Sequence, residues 1–171
     1  MEALRELLAV TERQALEFFF LGLKDVSESD VDEQELIYNA SVLAHYAQVS
    51  THAALEVPTP SSLSAIFDNY VWDDTLRRDS VMMETAGAQC LLLAGFFADQ
   101  MRRRHSIRWY TELGAGFFGR AAAQERSARK AQLLDTIARH FEPWRQRHER
   151  LGRELRDQPY LLVHPVPPRR M

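Results

Sequence analysis

Six histidines, His45, His52, His105, His140, His148 and His164, are the residues of this chain best suited to hold a metal or move a proton. A carboxylate-bridged metal centre in a helical protein needs Glu-x-x-His pairs facing inward, and the sequence has none. It also lacks His-Glu-x-x-His and any Cys/His quartet, so no metal site and no cofactor are expected. The single cysteine, Cys90, lies among leucines whose burial would raise its pKa, the opposite of what a nucleophile needs. There is no Gly-x-Ser-x-Gly elbow and no glycine-rich phosphate loop, so no catalytic residue is assigned.

The arginines are more informative. Arg102, Arg103, Arg104 and Arg108 precede or open a helix, followed by Trp109 and Tyr110. Free backbone N–H groups at a helix N-terminus attract anions, and guanidiniums beside them strengthen the pull. These four arginines are the anion-binding candidates, for a phosphate, a nucleic-acid backbone or an acidic partner. The competing expectation is that they pair with the chain's own acidic N-terminal half. Residues 1–75 hold fourteen Asp/Glu against three Lys/Arg, while residues 76–171 hold ten against eighteen. That polarity sits inside a net charge of only −3, which together with the lack of a recognisable reading module argues against a nucleic-acid binder.

The elements that must position these residues read as helices throughout. Residues 86–98, AGAQCLLLAGFFA, are apolar all round except Gln89, as in a helix buried on every side. Gly87, Leu91 and Gly95 form one row of it, a groove that the run Leu113–Gly119 could enter. This central helix is expected to start between Asp74 and Asp79 and to reach Phe97. Ahead of it, residues 2–24 read as a helix in one or two pieces, with Thr11 and Gln14 as a capping box at the join. Asp30 and Glu33 then cap a helix over 31–48. Pro58 and Pro60 interrupt residues 49–62, and a short helix follows over 62–70. After the arginines, Ser106 caps a helix running to about Ala121. No strand is expected.

Leu134, Ile137, Phe141, Trp144, His148, Leu151 and Leu155 alternate spacings of three and four, a heptad-like stripe. Pro143 lies within it and implies a kink, or one helix ending and the next beginning; the unbroken register favours a kink. The stripe either covers the central helix or pairs with a second copy, so its seven residues are the interaction candidates. Residues 158–171, with four prolines, read as an extended tail.

Three patches, Leu36-Ile37-Tyr38 with Leu43-Ala44, Leu91 to Phe97, and Tyr110 to Gly114, resemble a group of small bacterial all-helical proteins of uncharacterised function. In that group the apolar run follows Gly-Asp and precedes Pro, whereas this chain has Gly87-Ala88 and Phe97-Ala98. The resemblance implies an all-helical fold and no activity.

The sequence thus predicts an all-α domain of five to seven helices over residues 1–157 and a tail over 158–171. No apolar stretch approaches the roughly 20 residues of a membrane span. With one thiol and no leader, the expectation is a cytoplasmic interaction or adaptor protein, non-catalytic and homo-oligomeric, partnered by itself or another protein. The alternatives are a nucleic-acid or small-anion binder using Arg102 to Arg108, or a small-molecule pocket lined by Phe96, Phe97, Tyr110, Phe117 and Phe118.

Overall fold

The computed structural model describes residues 2–53, 79–103 and 105–156, with side chains from Arg13 to Ala47 and from Asp79 onward, Arg104 excepted. The protein is all-α, and no strand occurs among the described residues. The helices are α1 (Glu2–Asp25), α2 (Glu33–Ala53), α3 (Ser80–Leu91), α4 (Ala98–Met101), α5 (Ile107–Gln124), α6 (Ala128–Arg139) and α7 (Phe141–Arg156). A π-helical turn, Leu92–Phe96, extends α3. The expected helix over 62–70, most of the 49–62 connection and the tail over 158–171 lie outside the described residues.

The chain divides into two compact units, one of residues 1–57 and 151–171, the other of residues 58–150. In the first, α1 and α2 form a hairpin about the short turn 26–32. Ala15, Phe19, Leu23 and Val26 of α1 and its turn are buried, as are Leu36, Ala40, Leu43 and Ala44 of α2. These spacings of three and four put one stripe on each helix. The α1 helix runs through Thr11 without a join. The cap of α2 is Asp32 rather than Asp30: its Oδ2 accepts from the Glu35 N–H at 3.0 Å. Both aspartates are followed three residues later by glutamate, and the one nearer the first buried residue, Leu36, takes the position. The helix then outlasts the expected end at residue 48, reaching Ala53.

In the second unit α3 packs on α5, and α5 on α6. Asp79 caps α3, accepting from the N–H groups of Val81 and Met82, and Ser106 and Ser127 cap α5 and α6 in the same way. The groove expected at Gly87 exists and is filled from α5. A Cβ at Gly87 would stand 2.9 Å from Phe118, and one at Gly114 would stand 2.8 Å from Cys90 Cβ and 2.5 Å from Phe141. Glycine here permits close helix approach. The same test finds open space at Gly116 and Gly119, on the outer side of α5.

The heptad-like stripe is interrupted, not kinked. Helix α6 ends at Arg139, and His140 leaves helical geometry at φ −102°, ψ 23°. Pro143 falls in the first turn of α7, where a missing N–H breaks no intrahelical bond. The register persists because both helices bury the same side. Leu134, Ile137, Phe141, Trp144 and His148 are buried in the larger unit, and Leu151 and Leu155 in the smaller.

Candidate functional site

The arginines that sequence grouped as one cluster have different environments. Arg102, its side chain 43% exposed, is held by carboxylates of the protein itself. Its Nη1 and Nη2 donate to the two carboxylate oxygens of Glu149 on α7, at 2.5 and 3.1 Å, and Nη1 also meets Asp99 at 3.1 Å. Arg108 is 89% exposed and makes a 3.3 Å contact with the exposed Glu112 one turn along, a pair worth a few tenths of a kcal/mol at most. Arg103 is exposed, and Arg104 lies outside the described residues. The carboxylates met by Arg102 and Arg108 therefore come from their own half of the chain, not from the acidic N-terminal half.

The bond from Arg102 is the outer part of an ionic cluster that sequence reasoning missed. Arg145 is 6% exposed. Its Nε and Nη2 donate to the Glu142 carboxylate, both at 2.9 Å, and its Nη1 donates to Glu149 at 2.7 Å. The same Nη1 reaches the backbone oxygen of Ala94 at 3.0 Å, inside the π turn. Arg145 thus gives a backbone carbonyl of the π turn a charged donor. It can approach because Gly95 carries no side chain: a Cβ there would stand 3.1 Å from the Arg145 carbonyl oxygen and 2.8 Å from His148 Cβ. The available signal was the spacing Glu142, Arg145, Glu149, three and then four residues apart on one helix face.

Charge balance in this cluster follows from proximity. Burial acts to raise the Glu149 carboxyl, but hydrogen bonds from Arg102 and Arg145 outweigh it and hold the group below its ordinary value. Hydrogen bonding from Arg145 lowers Glu142 as well. Burial works against the charge on Arg145, and its bonds to Glu142 and Glu149 more than offset that, so its pKa is raised. His148, fully buried beside this cluster, is pushed by burial from 6.5 to about 3 and is neutral at physiological pH. The Cys90 thiol is pushed by burial up to about 12, leaving no thiolate for nucleophilic attack. Among the described residues, no group of three or more His, Cys, Asp or Glu is placed to hold a metal ion. No described helix is long and apolar enough to cross a membrane.

The two remaining sequence candidates are occupied by packing. All seven stripe residues are at most 6% exposed within the single chain, so the stripe offers no open face to a partner. Of the pocket candidates, Phe96, Tyr110, Phe117 and Phe118 are buried. Phe118 sits against Gly87 and tilts onto Phe141 with ring centroids 6.1 Å apart. What stays open is the start of α5. Trp109 is 49% exposed, edge-on to Tyr110 at 4.8 Å, and His105, Arg103 and Arg108 are exposed around the same turn.

Comparison of the chain with protein-family models, curated proteins and solved structures returns no match, so no activity is carried here from a relative.

Proposed function

We propose that this is a helical interaction protein without catalytic activity, which docks an acidic protein surface on the corner formed by Arg103, Arg108 and Trp109. The observation that carries this reading is the half-exposed Trp109 among exposed arginines. Trp and Arg dominate the energetics of protein interfaces, and a large indole left in water gains from being covered. A protein partner is favoured over a nucleic acid because the whole chain is net negative and Glu112 shares the corner with Arg108. The anion-binding role proposed for Arg102 is weakened, since its guanidinium is already bound to Glu149. A cytoplasmic setting suits a lone thiol that is buried and protonated.

The test replaces Trp109 with the photo-crosslinking residue p-benzoylphenylalanine in producing cells. The expected result is a cross-linked polypeptide, lost when Arg103→Glu and Arg108→Glu are added. A cross-link to nucleic acid, or no cross-link at all, overturns the reading.

A further inference from the structure

The α1–α2 hairpin carries two exposed aliphatic side chains in an acidic setting. Leu21 is 62% and Ile37 45% exposed, each four residues from the end of its helix at the shared turn. In an antiparallel hairpin that places them at similar heights above the turn. Glu17 and Asp25 flank Leu21 at four residues on either side, and Glu33 precedes Ile37 by four, so these carboxylates share the faces of the two apolar side chains. Asp30 and Asp32 are exposed in the turn between. Residues 17–37 hold seven carboxylates and a single base, Lys24. Over residues 102–112 the sequence balance reverses, with four arginines and one glutamate, and of these Arg103 and Arg108 are exposed at the open corner.

Both regions are open to solvent in the single chain, and each has what the other lacks: a large aromatic with the exposed Arg103 and Arg108 near it in the chain, and two aliphatics with exposed carboxylates a turn away on their own helices. We infer that the partner of the Trp109 corner is a second copy of this chain, presenting Leu21 and Ile37 of its α1–α2 hairpin. This rests on the interaction reading above and names its partner. Opposite charges at the rim set the register and speed encounter, while the indole and the two aliphatic side chains supply the apolar contact. Each copy thus offers one corner and one hairpin to its neighbour.

Sedimentation velocity of the full chain tests this with three samples. The wild type is expected to self-associate with rising concentration, and to dissociate in about 0.5 M salt, where surface charges are screened. Arg103→Glu with Arg108→Glu, and separately Asp25→Arg with Glu33→Arg, are each expected to weaken self-association about tenfold or more. All four positions are exposed, and circular dichroism of each variant verifies that it remains folded. An equimolar mixture of the two variants retains one intact corner and one intact hairpin, and a two-chain species is expected to return. A wild type that stays at the mass of one chain at every concentration overturns the inference. So does an assembly indifferent to both charge reversals, or a mixture that does not reassociate. The cross-link at position 109 separates the two claims: a different polypeptide captured there sinks the second copy and leaves the interaction reading standing, whereas capture of no polypeptide sinks both.

Discussion

Arg145 and Arg108 are the same residue at two extremes. Arg145, 6% exposed, spends its donors on two carboxylates and one backbone carbonyl, all within its own unit. Arg108, 89% exposed, has one weak surface contact. Much of the basic composition of the C-terminal half tempts a single explanation in terms of anionic partners, yet these two side chains do unrelated work. The buried one fixes the joint between α7 and the π turn. The exposed one leaves its charge to whatever approaches.

That contrast is open to measurement, and the largest effect belongs to the buried cluster. Arg145→Met removes the donors to Glu142, Glu149 and Ala94 while keeping much of the volume. Leaving buried acceptors without their cation costs about 3 kcal/mol, read as a lower urea midpoint. An unchanged midpoint would mean that the cluster is ornamental and that the two arginines differ only in exposure.

Next in size is a dependence on pH. His148 has a folded pKa of about 3 against 6.5 when unfolded, so between those values the unfolded chain binds the extra proton and stability falls as pH falls. Between pH 7 and 5.5 the loss is about 1 kcal/mol. The depressed carboxyls of Glu142 and Glu149 act in the same direction but lower down: their contribution is complete above their ordinary value of 4.5 and is lost as pH drops through their folded values. Urea titrations at several pH values are expected to show both segments. His148→Gln flattens the upper segment and spares the lower; a slope that survives the substitution assigns it to another group.

The smallest effect marks the other pole. Arg108→Ala is expected to leave stability within about 0.5 kcal/mol of wild type, as for exposed positions generally. A loss above 1 kcal/mol would show that the corner is structural after all and would remove the ground for reading it as a docking surface.

Much of the helical order was readable because periodicity and caps agree. Ser106 and the small-residue row near Gly87 fixed α5 and its approach to α3 from sequence alone. The π turn was not readable, because residues 86–98 are apolar on every side and a change of pitch leaves no trace in such a pattern. Burial of Arg145 was hidden for a related reason: charged residues alternate along α7, and hydropathy cannot distinguish a cation facing water from one facing two carboxylates. For the candidate site, sequence identified the open corner but joined Arg102 to it, since neighbours along a chain need not share a direction in space.

The wide turn at Leu92–Phe96 has a bearing on how this fold tolerates insertion and deletion. One residue more than an α-helical turn requires is accommodated there, and Phe97 closes the turn outside helical geometry at φ −105°, ψ 24°, so the turn works as a phase adjuster between α3 and the separate short helix α4. Upstream, α3 is timed to present Gly87 and Cys90 to α5; the turn itself presents Gly95 to α7, and downstream Ala98 is presented to the interior and Arg102 to Glu149. Excising a single residue would give a more regular helix and rotate everything beyond it by about 100°. Ala98 and Met101 would swing toward water and Arg102 away from its carboxylate. A deletion that improves local geometry would thus desynchronise the rest, and loss or gain of length here should be far less tolerated than in the turns that join the helices.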